Sequence, residues 1–286
     1  MKLHPGEAPV PSHPVLSHIV VYPIKSLDGV EVTKVAIAPG GTLCHDREFA
    51  IVDAEGNWVN GKRYPQLHRI RATFDLMSRI TTLRVQGTET ASTFHLDTER
   101  SHLATWLSDF LGFRVTLHQN QHQGFPDDAA AYGPTVVSTA TLLAVTDWYA
   151  AYGLSLLEVR QRFRTNLEVD GVPAFWEDHL YSDAPDSVAT PKAYRPVPFQ
   201  IGAVHFEGIN PCQRCIVPTR HPLTGEVLPD FKQQFVAQRS ATLPATVARS
   251  RFNHFYRLAV NTRIAAGDAG KRLRVGNAVV FNPTES

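Results

Sequence analysis

The sequence predicts a mainly β fold with several helices (α+β), arranged as two closely joined barrel-like regions. Three observations carry this expectation. Short apolar segments of alternating or β-branched character recur through the first 120 residues, separated by turn residues. A stretch of helical period interrupts them near residue 105, and two more follow residue 138. At 286 residues the chain is long enough for roughly one to three domains, each with its own core.

In chain order, residues 1–14 hold four prolines and a glycine and are expected to form an arm. "LSHIVVYPIKSL" is a β-branched run ended by Pro23, and "GVEVTKVAIA" sets Val30, Val32, Val35 and Ile37 among polar or small neighbours; both predict strands. "EFAIVDAEGNWVNGK" predicts a strand, a glycine-containing turn and a second strand, and "TFDLMSRITTLRVQ" and "ASTFHLD" continue the rhythm of a barrel or sandwich. In "SHLATWLSDFLG", Leu103, Trp106, Leu107, Phe110 and Leu111 share one helical face and Gly112 supplies the stop, which predicts a helix over 101–111.

"RVTLHQ" returns to strand, and the polar connector "NQHQGFPDDAAAYGP" divides the chain into regions 14–122 and 123–283. Beyond it, "STATLLAVTDWYAAYG" predicts a helix capped by Ser138, and "SLLEVRQRF" a second one before the strand "TNLEVDG". The segment "YSDAPDSVATPKAYRPVPFQIG" predicts a long irregular insertion. "AVHFEGINPCQRCIVPT" places a cysteine pair in a loop entering a strand, and "RVGNAVVF" closes the chain with another strand. No internal repeat appears.

Composition excludes several function classes. Hydrophobic residues make up 43% and charged residues 19%, with a net charge of +1. No segment carries the basic excess of a nucleic-acid or membrane-surface binder. The first residues lack the apolar core of a secretory signal, and no run of about 20 apolar residues occurs, so a cytoplasmic protein is expected. Three cysteines fit a reducing compartment.

"GNWVNGKR" matches the phosphate-loop pattern G-x-x-x-x-G-K, but Arg63 stands where a magnesium-binding hydroxyl belongs and the segment reads as a hairpin; it is a turn. Cys212 and Cys215 leave more alternatives open. A structural zinc site needs four ligands, for which Cys44, His205 or His221 are the candidates. A thioredoxin-like pair would precede a helix, whereas "IVPT" reads as strand. An iron–sulfur cluster needs about four cysteines. One thiolate could instead hold a soft metal whose other ligands come from a cofactor, or both residues could be small buried hydrophobes. Lys25, Ser26, Asp46, Arg47, Arg162, Arg164 and Arg214, with the capped helix start at Ser138, are candidates for an anion cradle.

"VYPIKSLDGVEV", "HDREFAIVDAEGNWV", "RFRTNLEVDG" followed by "FWED", "NPCQRCIVPTRHPLTGE" and "RVGNAVVF" occur in the order found in the MOSC-domain family, named for the molybdenum cofactor sulfurase C-terminal domain. The chain resembles the branch with an N-terminal MOSC β-barrel region that includes the mitochondrial amidoxime-reducing component. The resemblance implies an N-terminal MOSC β-barrel region plus a MOSC β-barrel domain. It also implies a molybdenum cofactor, molybdopterin with mononuclear molybdenum, held by its dithiolene and by Cys215, with Cys212 a neighbour. By the same matching Lys25, Ser26 and Arg47 contact the anionic cofactor, Arg164 and Asn166 approach the pterin or metal, Ser138 and Thr141 meet its polar groups, and Gln213 and Arg214 precede the ligand. Asp46 is assigned to orienting Arg47. Departures are "RFNHFYRLAVN" late in the chain and the length of the segment over 181–196.

The implied activity is reduction of N-hydroxylated compounds such as amidoximes, hydroxamic acids or N-hydroxylated nucleobases. Lacking a dinucleotide fingerprint and cysteines for a cluster, the chain is expected to take electrons from a separate flavin- or haem-containing protein. The alternatives are a molybdenum cofactor carrier or sulfur-handling protein, and a zinc-stabilised interaction module.

Overall fold

The computed structural model describes residues 13–185 and 194–281. The first half carries strands β1 (Val15–Val21), β2 (Val30–Glu31), β3 (Lys34–Ala36), β4 (Phe49–Asp53), β5 (Ile70–Asp75), β6 (Ile80–Val85) and β7 (Ala91–His95), helix α1 (Arg100–Leu111), and β8 (Val115–Gln119). The second carries β9 (Val136–Ser138), helices α2 (Thr139–Trp148) and α3 (Leu156–Phe163), β10 (Leu167–Asp170), β11 (Tyr181–Pro185), β12 (Tyr194–Ile201), β13 (Val204–Gln213), helix α4 (Phe231–Thr242), β14 (Arg257–Ile264), β15 (Arg272–Arg274) and β16 (Val279–Val280).

In the first half, β4 pairs with β8, and β5, β6 and β7 form an antiparallel meander. Helix α1 lays Leu103, Leu107 and Leu111 onto these strands, where they join Phe49, Ile51, Leu67, Ile70, Leu83 and Val115 in one core. Gly112 ends the helix at φ 79°, the left-handed cap expected of it.

The second half is built on a nine-stranded sheet of order β11-β12-β13-β14-β9-β10-β1-β2, with β16 on β12. Strands β9 and β10 run parallel, and α2 and α3 form the crossover that parallel strands require. Three first-half strands enter this architecture: β1 pairs with β10, β2 with β1 and β3 with β15. The connector after β8 divides the chain in sequence, yet the strand pairing runs across that division.

The structure corrects several expectations. "IVPT" is not a strand but a 3-10 turn over Val217–Thr219, because Pro218 cannot donate to a ladder. The segment expected to be an irregular insertion forms β11 and β12, paired through Tyr181↔Pro196 and Pro185↔Tyr194; residues 186–193 lie outside the described part, as do residues 1–12 of the expected arm. The second strand after Asp53 reduces to a single bridge between Val52 and Trp58. Helix α4 and strand β14 occupy segments for which the sequence reading named no element.

Candidate functional site

Where the halves meet, a cleft of about 1210 Å³ opens, lined by eleven lysines and arginines against five carboxylates. That imbalance is local, since the whole chain is close to neutral. Lys25, Ser26, Arg47, Arg164, Asn166, Gln213, Arg214, Cys212 and Cys215, scattered through the sequence, all line it.

Lys25 and Ser26 follow Pro23, where β1 turns away from its sheet. Lys25 Nζ donates to the Phe125 carbonyl at 2.9 Å and pairs with Asp127 at 2.9 Å. Although desolvation opposes ionisation of Asp127, the charges of Arg47 and Lys25 hold its carboxyl well below the ordinary range. Asp46 has the orienting role expected of it: Oδ2 accepts from Arg47 Nη1 at 2.7 Å, and Oδ1 accepts from the Tyr22 amide at 2.9 Å. The loop from β8 closes against this pair; at Gly124 a Cβ would sit 2.5 Å from the Asp46 carbonyl, so no side chain fits.

Arg164 follows α3, with its guanidinium over the Tyr22 ring and Nη2 donating to the Leu27 carbonyl at 2.6 Å. Ser26, Arg47 and Arg164 all have left-handed backbones, at φ 77°, 50° and 52°. Such residues cost on the order of 1–3 kcal/mol each and persist where a site over-determines them. Asn166 is 1% exposed and fully engaged: its Oδ1 accepts from the Thr135 amide and its Nδ2 donates to the Val20 carbonyl. It joins β1 to β10 while its edge reaches the cleft.

Cys212 sits near the end of β13 and Cys215 in the loop after it, both half-buried. Arg214 Nη1 donates to Cys212 Sγ at 3.2 Å, and its Nη2 donates to the Phe163 carbonyl. Tyr256, 2% exposed, has a phenol raised by burial, with Cys215 adding to this and Arg214 opposing it. The candidates for completing a zinc site do not gather around the pair: His205 bonds Asp268, and the His221 ring accepts from the Leu223 amide. Among the described residues no group of three or more His, Cys, Asp or Glu is placed to hold a metal.

Ser138 and Thr141 are not in the cleft. Ser138 does cap α2, its Oγ accepting from the Thr141 amide at 3.0 Å, but both residues are fully buried. Thr141 Oγ1 donates to Glu177 Oε2 at 3.0 Å and accepts from the Phe175 amide at 2.6 Å. These groups belong to a sealed polar cluster in which Asp178 holds Arg239, itself 1% exposed. Burial, then the Asp178 charge, push the Glu177 carboxyl up to about 7. The sequence reading gave no site role to Tyr22, His68, Arg71, Arg160 or Arg220, which also line the cleft. Of these, Tyr22 and Arg220 lay within recognised motifs.

Residues 13–116 match the MOSC N-terminal beta barrel domain and residues 135–271 match the MOSC domain. Among curated proteins, the chain is similar to a molybdenum cofactor sulfurase of Bos taurus, 26% identical over 267 residues that cover 81% of this chain and 30% of that protein. It is 23% identical over 246 residues to the Homo sapiens molybdenum cofactor sulfurase, covering 70% of this chain and 26% of that protein. The Danio rerio protein of the same name is 25% identical over 245 residues, covering 70% and 27%. The chain thus spans less than a third of these relatives. With a MOSC N-terminal barrel domain and a MOSC domain following in order, the chain belongs to the MOSC-domain family.

Proposed function

We propose that the chain binds a molybdenum cofactor in the cationic cleft and reduces N-hydroxylated compounds with electrons from a separate flavin- or haem-containing donor. The observation that carries the first part is the opening of Cys215 into a cleft whose cations outnumber its carboxylates. A soft thiolate without protein co-ligands suits a metal whose other ligands come from a dithiolene, and the surrounding arginines suit an anionic pterin phosphate. Lys25, Ser26 and Arg47 would hold the anionic end, and Cys215 would ligate the metal. When bound, the cofactor would supply two-electron chemistry. Arg164 and Arg214 would fix its orientation, the first by stacking on Tyr22 and the second by its bond to Phe163. The Phe125 loop would shield the Arg47 end from water.

A second reading, a cofactor carrier or sulfur-handling protein, is favoured by the names of the similar curated proteins, all molybdenum cofactor sulfurases. Turnover separates the two. Molybdenum-loaded protein, a chemical reductant and an amidoxime or N-hydroxylated nucleobase should give the reduced product at a rate proportional to molybdenum content. Loaded protein with no rate on such substrates would favour the carrier.

A further inference from the structure

We propose that the cleft contains a second anion subsite, built by Arg71 and Arg220 with His68 beside them, that binds the phosphoryl group of a nucleotide. Arg71 lies on β5 and Arg220 five residues after Cys215, so the subsite joins the two halves. Arg71 Nη2 donates to the carbonyls of His68 at 2.6 Å and Pro222 at 3.1 Å, which docks the loop after Cys215 onto β5. Arg220 Nη1 donates to the Gly225 carbonyl at 3.1 Å. The Nε atoms of both arginines are buried without a hydrogen-bond partner among the described residues.

Asp28, 3.4 Å from Arg71, offsets one of the two guanidiniums, leaving Arg220 and the nearby Arg164 in excess. Burial first, then the charges of Arg164, Arg220 and Arg71, pull His68 down to about 4, so its ring is neutral at pH 7. Two guanidiniums and a neutral imidazole lining one cleft suit a phosphoryl dianion. The cleft's volume exceeds the roughly 300–1,000 Å³ of ordinary small-molecule pockets. Val217 lines it as apolar surface on which a nucleobase can rest. The inference rests on the proposed function only in assigning the first anion to Lys25, Ser26 and Arg47. The phosphoryl group has two possible sources, a nucleotide extension of the bound pterin or a phosphate carried by the substrate.

The test is calorimetric titration of the full chain, without cofactor, with cytidine, cytidine 5′-monophosphate and guanosine 5′-monophosphate. Wild type should bind the nucleotides at least about tenfold tighter than cytidine, as an added charge-assisted pair would give. The Arg71→Gln/Arg220→Gln double variant should lose that preference. If the double variant fails to fold, Arg220→Gln alone serves, since it gives up one bond to a turn carbonyl. Equal binding of nucleoside and nucleotide by wild type, or an unchanged preference in the variant, overturns the subsite. A phosphate preference in protein that never acquires molybdenum supports the subsite while sinking the cofactor reading. One nucleotide released per molybdenum from acid-treated holoprotein identifies the extended cofactor as the source; none released, with a lower KM for phosphorylated substrates, identifies the substrate.

Discussion

The guanidinium carbon of Arg164 lies 4.1 Å from the centroid of the Tyr22 ring, and that of Arg47 lies 5.9 Å from the same ring. One aromatic ring thus spaces two cations that would otherwise repel each other across the cleft. Burial pulls the Arg164 guanidinium down from its ordinary value and the Arg47 charge adds to this, while Tyr22 and Asp28 oppose it.

Under the proposed function, Tyr22 prepares the cleft for the anionic cofactor. Tyr22→Leu should lower molybdenum per folded protein by several fold, as the loss of about 1–2 kcal/mol of cation–π positioning implies. Tyr22→Phe should hold wild-type content, giving up only the weak bond from the phenol to the Thr165 carbonyl at 3.3 Å. Elemental analysis beside circular dichroism checks this; equal content in all three proteins would remove Tyr22 from the site.

Thr141 should behave differently, since its hydroxyl is sealed beneath α2. Thr141→Val leaves the buried Phe175 amide without its acceptor and should cost about 1–3 kcal/mol of stability. Molybdenum per folded protein should stay at the wild-type value. Urea denaturation and metal analysis of the same samples separate the two effects, and a selective loss of molybdenum would return Thr141 to the site.

Ser138 shows both the reach and the limit of the sequence. Its identity and the apolar period behind it mark the helix cap, and the structure has that cap. Nothing in the local sequence says that Glu177, 39 residues on, closes over it. Strands β5 to β7 and helix α1 were legible because each has one buried and one wet face. Strand β14 is buried at six of its eight positions and so lacks alternation, and α4 hides Arg239 among its core residues, which blurs the apolar stripe. In the cleft, most motif-borne residues were legible. Arg71, outside every motif, and Arg220, inside the cysteine motif, were not, because an arginine becomes part of a site only when the chain brings it beside others.

The two cysteines should separate cleanly. Cys215→Ser should lower bound molybdenum by more than about tenfold, as loss of a thiolate ligand implies. Cys212→Ser should lower it less, because Arg214 keeps its bond to the Phe163 carbonyl and only the contact to Cys212 Sγ is altered. Metal analysis with fluorescence of the oxidised pterin reads both. A larger loss in the Cys212 variant would reverse the ligand assignment.

Glu177 predicts a pH dependence of stability that is separate from any cofactor. Its carboxyl titrates at about 7 in the folded protein against 4.5 ordinarily, so between these values the folded state holds a proton that the unfolded chain releases. The contribution is fully present below about pH 4.5 and is lost as pH rises through about 7, an amplitude on the order of 3 kcal/mol for a group 1% exposed. Glu177→Gln imitates the protonated form and keeps an acceptor for Thr141, so this part of the slope should vanish. The variant should then gain on wild type from pH 5 to pH 8, as read from urea midpoints at each pH. Parallel stability curves for the two proteins across that window would show that Glu177 is ionised in the fold, with Arg239 shared between two carboxylates in place of serving Asp178 alone.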